Sequence, residues 1–311
     1  VRIDYIYYPE ADNEHDGINL GVADGGTDVT IFDNTLMGDD NGDLGILLSN
    51  CHGVTVDGNT ISRHTSIGIN LLGDSSGNAI INNTVTDHSA GGGGFDVGIL
   101  LGADAHHNGI VGNLIADNGD GIKVGGDHND ILCNVITGNL AGDDGPACGV
   151  HFCCGAEDNV LNHNNISGNG DIGSSSYGVF NENSSQAVDA RWNWWGHASG
   201  PYNGGTNPDG EGDPVSSYVD YEPWATSAFG YDQTPGDYDT ASPDILTAIA
   251  MPDMISLYTA IEEWTEEWWH FAYEEEFGFT PGPGETSYQV ETTDIDEDGA
   301  QPRGIRYVTL D

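Results

Sequence analysis

"NDILCNVITGN", Asn129 to Asn139, is the stretch on which the reading of the fold turns. It sets two asparagines, Asn129 and Asn134, five residues apart around the apolar Ile131. Amides are poor residues for a strand interior, so their placement needs a cause. The same spacing returns on both sides. "VTVDGNTI" carries Val54, Val56, Asn59 and Ile61, and "NAIINNTV" carries Asn78, Ile80, Asn83 and Val85. "NGIVGNLI" supplies Asn108, Ile110, Asn113 and Ile115, and "NVLNHNNI" supplies Asn159, Leu161, Asn164 and Ile166. "VTIFDNTL" with Asn34 and "VDARWNWW" with Asn193 extend the series at its two ends. A second phrase precedes each one, as in Gly68-Ile69-Asn70-Leu71, Gly98-Ile99-Leu100-Leu101, Gly121-Ile122-Lys123-Val124 and Gly149-Val150-His151-Phe152. Short strands and Gly/Asn turns repeating every 20–30 residues or so mark a solenoid.

A solenoid explains the amides. An Asn side chain bonds backbone at a corner and tolerates left-handed geometry there. Stacked coil on coil, Asn34, Asn59, Asn83, Asn113, Asn134, Asn164 and Asn193 are predicted to form a ladder in which each buried amide is satisfied by its copies. Apolar pairs of period two, such as Ile122 and Val124, point inward and fill the axis. The competing fold, a β-sandwich with Asn-rich turns, does not call for a fixed register of this kind.

These repeats resemble those of right-handed parallel β-helix proteins of the pectate-lyase-like superfold. Within it they are most similar to secreted and surface proteins of archaea and to periplasmic proteins of nitrous-oxide-reductase maturation. The segment from Trp192 to Trp224 resembles the last-coil motif of the archaeal proteins. The resemblance implies an all-β fold, a right-handed parallel β-helix of about seven coils over residues 17–224. It implies little about function, because the superfold hosts lyases, hydrolases, adhesins and virus tailspikes alike.

Charge is the next constraint. Among 311 residues, 51 acidic side chains face 6 basic ones, for a net charge of −45, and Lys123 is the single lysine. Such a chain repels itself unless salt shortens the screening length, to about 3 Å at 1 M. The composition therefore predicts a hypersaline setting and excludes a nucleic-acid partner, which needs a basic face. No apolar run is long enough to span a bilayer. No leader is read ahead of Val1, which fits either an exported chain already trimmed or a virion protein. The five cysteines, Cys51, Cys133, Cys148, Cys153 and Cys154, are too few and too irregular for a disulfide framework. Cys133 with Cys148, or the neighbours Cys153 and Cys154, are the pairings left open.

Stacking turns the repeat into a contact map, since equivalent positions lie about 4.8 Å apart. The two positions before each Asn phrase bring His106, His107, Asp127, His128, Glu157 and Asp158 onto three adjacent coils, a set suited to a transition metal. The plainer alternative is a solvated corner of an acidic chain. On the Gly-Ile-x-Leu strands the outward column runs Asn19, Leu47, Asn70, Leu100, Lys123, His151, Phe180. On pectate-lyase-like folds such a face carries the substrate cleft, so Lys123 as base beside His151 is the candidate catalytic pair for a polysaccharide lyase or hydrolase acting on acidic glycans. An anionic wall would repel those chains, and an incidental surface pair is the plainer alternative.

Both ends of a stack of strands need covers. Residues 1–16 read as an N-terminal strand or cap, and Trp195 falls in an inward slot where it can plug the axis. Residues 225–243 read as a linker. Residues 244–311 read as an amphipathic helix, with Met254, Tyr258, Ile261, Trp264, Trp268 and Phe271 on one face, then a β-hairpin serving as a cap or oligomerisation element. Asp294, Asp296 and Asp298 before Gly299 match the start of a calcium loop, making Ca2+ the one candidate cofactor there, although Ile305 stands at the twelfth position where a carboxylate is expected. The functional expectation is an extracellular, cell-surface or virion-surface structural or adhesive rod of a halophilic archaeon or its virus. Its partners would be copies of itself, another surface protein, or surface glycans. A secreted lyase or hydrolase is the rival.

Overall fold

The protein was analysed as a computed structural model. It describes residues 17–21, 29–38, 44–88, 96–140 and 146–230, and the backbone of two strands, Ser287–Thr293 and Pro302–Thr309. The chain divides into two units, Val1–Thr240 and Ala241–Asp311. In the second unit the two strands pair antiparallel, Ser287 opposite Thr309. The N-terminal strand, the amphipathic helix and the Asp294, Asp296, Asp298 loop lie outside the described residues.

The first unit is a parallel β-solenoid with three sheets. One has seven strands, running from Ile18–Gly21 through Leu44–Ser49, Ile67–Leu72, Val97–Leu101, Asp120–Val124 and Cys148–Phe152 to Tyr177–Asn181. The second has eight strands and the third six, and every neighbour in each is one coil away. The seven repeats thus give six complete coils. The seventh contributes two strands, and an isolated bridge between Asn165 and Trp194 replaces its third.

Register puts like on like. Ile46, Ile69, Ile99, Ile122, Val150 and Val179 form one fully buried column, and Val56, Ile80, Ile110, Ile131 and Leu161 form another. Trp195 is fully buried in the same core. The glycine that opens each strand of the first sheet is required by close approach. A Cβ on Gly68 would lie 2.6 Å from the Gly98 carbonyl oxygen and 2.6 Å from Val85 Cγ1.

The corners hold three ladders. Between the second and third sheets, the backbone N–H and Nδ2 of Asn134 both donate to Asn164 Oδ1, at 2.8 and 3.0 Å, and the pattern runs from Asn34 to Asn193. Between the first and second sheets, Asn78, Asn108, Asn129 and Asn159 repeat it. The third ladder, between the third and first sheets, runs His88, Asn118, Asn139, Asn169, Asp213. The left-handed residue at each corner is the one before the ladder residue, as at Asn82, Cys133, His163 and His128. This corrects the expectation that the ladder amides themselves take that conformation. They are turned inward to bond, and the preceding residue makes the bend.

The far end is covered by residues 196–230. Val219–Asp220 adds a strand beside Val188–Asp189, and Val215 bridges Val179. Residues 225–230, at the head of the expected linker, are tied to the solenoid: the Ala225 N–H donates to the Asn193 carbonyl and Phe229 exchanges two hydrogen bonds with the Asn165 side chain, while residues 231–243 lie outside the described residues.

Candidate functional site

The outer face of the first sheet carries the densest chemistry. Strand register sets Lys123 beside His151 and His151 beside Phe180, while Cys148 pairs with Tyr177. The glycine bend makes the residue before each glycine share this face, which brings in Asp120 and Cys148. The Cys148 N–H donates to Asp120 Oδ1 at 3.0 Å. His151 Nδ1 lies 3.4 Å from Asp120 Oδ2, and Nε2 lies 3.1 Å from Glu182 Oε1. The Phe180 ring meets the imidazole edge-on at 5.3 Å. Cys148 and His151 are buried, and Glu182 is half exposed.

Both ring nitrogens of His151 thus face carboxylate oxygens, with the Cys148 sulfur beside Nδ1 and Asp120. With Nε2 bonded to Glu182, a cation at Nδ1 would meet an imidazole nitrogen, a carboxylate and a sulfur together. One ligand atom from each of Asp120, Cys148 and His151 lies within 4.8 Å of the other two, the one such triplet among the described residues. The carboxylate on His151 Nε2 is the outer partner that usually fixes a ligating imidazole. Burial, and then the Asp120 charge, push the Cys148 thiol well up, with Lys123 opposing. The sulfur is therefore held as a neutral thiol until a positive charge displaces its proton. At the end of the same strand Cys153 Sγ and Cys154 Sγ are 2.9 Å apart, and burial raises Cys153 as well. No disulfide joins any of the five cysteines, so neither pairing left open by the sequence is formed.

The sequence reading found Lys123 and His151 here and missed Asp120, Cys148 and Glu182. The signal for Asp120 and Cys148 was present, since each precedes the glycine of its Gly-x-x-x phrase and falls three residues before Lys123 or His151.

The histidine corner is partly assembled. His106 Nδ1 lies 2.7 Å from His107 Nδ1, and His106 Nε2 lies 3.0 Å from Asp74 Oδ1. His107 stacks on His128 at 5.0 Å, and His128 Nε2 is 3.6 Å from Asp158 Oδ2. Asp127 accepts the Glu157 backbone N–H instead of facing the imidazoles. Asp74, one coil earlier, was not in the expected set.

Fold and face together define a parallel β-solenoid protein with a Cys/His/carboxylate donor set on one outer sheet. Residues 6–207 match the model of the family described as "Periplasmic copper-binding protein (NosD)", and the chain belongs to that family. No curated protein matches it. Among solved structures, the crystal structure of pectate lyase Pel9A is similar over 84% of this chain and 76% of that chain, at 14% identity and a TM-score of 0.37. Among the described residues no helix is long and apolar enough to cross a membrane.

Proposed function

We propose that the protein is a rigid rod working outside the cytoplasm, in a saline setting, that binds copper through Asp120, Cys148 and His151. The observation that carries this is the convergence of those three donors within 4.8 Å. The donor types fit the metal: thiolate and imidazole together suit copper, above all Cu(I), and a carboxylate suits it less. Bound there, copper would supply a soft, redox-active cation. The protein's part is to hold His151 through Glu182, to keep Cys148 dry, and to release the thiol proton. The family description supports both the metal and the location. The charge of −45 supports the saline setting.

An adhesive or virion-surface rod needs the scaffold without the donors, so metal binding separates it from this reading. The full chain, reduced and carrying Cys153→Ser and Cys154→Ser to remove the adjacent thiols, is titrated with Cu(I) against a chromophoric chelator. Concentrated sulfate serves as the salt, because chloride competes for Cu(I). One ion per chain is expected, with Cys148→Ser or His151→Gln weakening it by about tenfold or more. Equal retention by those variants would remove the metal and leave the bare scaffold.

The lyase reading rests on the register pairing of Lys123 with His151. Uronate glycans in molar salt, followed for unsaturated products, test it. Turnover abolished by Lys123→Ala would replace the copper proposal with an enzyme.

A further inference from the structure

We infer that the exposed corner formed by His106 and His107 is a second metal site, taking a borderline divalent ion such as Zn2+ or Cu2+. It is built on different strands from the Asp120, Cys148, His151 set and does not depend on it.

Three features carry the assignment. The first is the facing pair of ring nitrogens, His106 Nδ1 and His107 Nδ1, 2.7 Å apart. Two such nitrogens cannot both present protons or both present lone pairs at that distance. One proton bridges them, and a cation that displaces it takes both nitrogens as ligands once the rings part slightly, to the roughly 3 Å that two nitrogens about 2.0–2.1 Å from one ion require. The second is Asp74. Its Oδ1 accepts from His106 Nε2 at 3.0 Å, which leaves the His106 Nδ1 lone pair directed at His107. A carboxylate behind an imidazole is how ligating histidines are ordinarily oriented. The third is rigidity. His106 is bridged in parallel to Ser76, and Ser76 to His52, so its backbone belongs to the coil-on-coil stack. His107 and His128 sit in left-handed backbone at φ 54° and 55°, which fixes the direction of both side chains, and their rings stack at 5.0 Å.

The ligand class follows from the donors. Two imidazoles with water completing the shell suit Cu2+, Zn2+ or Ni2+, whereas Mg2+ and Ca2+ prefer all-oxygen shells. Selectivity against hard cations is what a site needs on a chain with 51 carboxylates in salt water. His128, held beside His107 and near Asp158, offers a neighbouring imidazole on the next coil but is not counted as a ligand.

The test uses the full-length protein in molar salt with excess Mg2+ to occupy the carboxylates, titrated calorimetrically with Zn2+. Three variants are compared with the parent: His106→Gln, His107→Asn (asparagine tolerates the left-handed backbone), and Asp74→Asn. Side-chain exposure of 40% at His106 and 68% at Asp74 makes these substitutions tolerable to the fold, checked by thermal unfolding. In the Cys148→Ser/His151→Gln background, which removes the other donor set, the protein should bind one Zn2+ that His106→Gln or His107→Asn eliminates and Asp74→Asn weakens by about tenfold or more. In the parent that ion adds to any held by Asp120, Cys148 and His151. NMR of the imidazole nitrogens should show His106 and His107 Nδ1 moving on Zn2+ addition. Unchanged stoichiometry and affinity in the His106→Gln/His107→Asn double variant, or imidazole signals indifferent to Zn2+, would overturn the site.

Discussion

At the scale of single residues, His88 shows how little the ladder asks of its members. Its backbone N–H and its Nδ1–H both donate to Asn118 Oδ1, at 3.1 and 2.8 Å, which is the two-pronged pattern of the asparagines inside each ladder, though not of the terminal Asn159 and Asn193. Imidazole replaces amide because both place an N–H in the same direction. The other nitrogen is the cost: His88 Nε2 is buried without a hydrogen-bond partner. Burial, with His64 stacked at 5.7 Å adding to it, lowers the His88 pKa to about 3, and burial lowers that of His163 to about 4. In the unfolded chain both titrate near 6.5. Below that pH the unfolded chain takes up protons that the folded chain refuses, so their stabilising share is complete above pH 6.5. It is lost as pH falls toward 4 and then 3. Each histidine contributes a slope of about 1.4 kcal/mol per pH unit inside the window. His88→Asn keeps both ladder donors and removes one titration. Denaturant unfolding of parent and variant between pH 6.5 and 5.5, above most carboxylate titration, should show the variant losing about 1 kcal/mol less over that unit, since the unfolded imidazole is only half protonated at its start. Parallel slopes would show that His88 protonates freely in the folded chain.

At the scale of elements, a ladder has an interior and an end, and the two ask for opposite chemistry. Asn134 accepts from Asn113 through Oδ1 and donates through Nδ2 to Asn164 Oδ1 and the Ile110 carbonyl. Asp213 is a terminus that only accepts, taking Gly168 N–H on Oδ1 and both Asn169 donors on Oδ2. Burial raises the Asp213 pKa, and those donated bonds oppose it. Asn134→Asp should therefore take the donor from the Ile110 carbonyl and set a buried carboxylate oxygen against Asn164 Oδ1, and Asp213→Asn should turn an amide N–H toward the Gly168 N–H. Each should cost about 2–4 kcal/mol in unfolding free energy, one to three for every buried group left unmet. The same exchange of Asn for Asp thus destabilises in either direction, and a gain from either substitution would contradict the assignment of roles. The asparagine spacing shows how far the sequence could be read. The central ladder and its strands follow from one repeated phrase, and the second ladder's residues stand at the head of that phrase. The third ladder was overlooked although Asn139 lies in the same eleven-residue stretch as Asn129 and Asn134, one further step of five. It was hidden because His88 and Asp213 break its spelling while keeping its bonds. The metal-competent face was half legible for a related reason. Counting along an ideal strand sends Asp120 and Cys148 to the wrong side, and only the glycine bend returns them to the side of Lys123 and His151.

At the scale of the whole molecule, the balance is between a core of stacked aliphatic columns and a surface of like charges. The columns gain with every coil, and salt changes that gain far less than it changes the repulsion between charges. The charges do not: 51 acidic against 6 basic groups repel along the whole chain, and repulsion between neighbouring coils disfavours the compact state. Isolated pairs such as Arg191 with Asp189, 2.6 Å apart and partly exposed, are too few to alter that. Stability should therefore depend on ionic strength through the screening length, which falls from about 10 Å at 0.1 M to about 3 Å at 1 M, shorter than the coil spacing. Raising sodium chloride over that interval should raise the unfolding midpoint on the order of 10 °C, equivalent to several kcal/mol for a chain this size. Beyond about 1 M the rise should flatten, because the screening length is already less than the separation of adjacent coils. Potassium should reproduce sodium, since screening does not distinguish monovalent ions. A midpoint that is flat from 0.1 M upward would mean that the carboxylates are spaced widely enough to ignore one another, and the inference of a saline setting from charge would fail. A midpoint that climbs steadily past 1 M, or separates sodium from potassium, would point instead to specific cation sites among the carboxylates, with the solenoid stabilised by ion binding and not by screening.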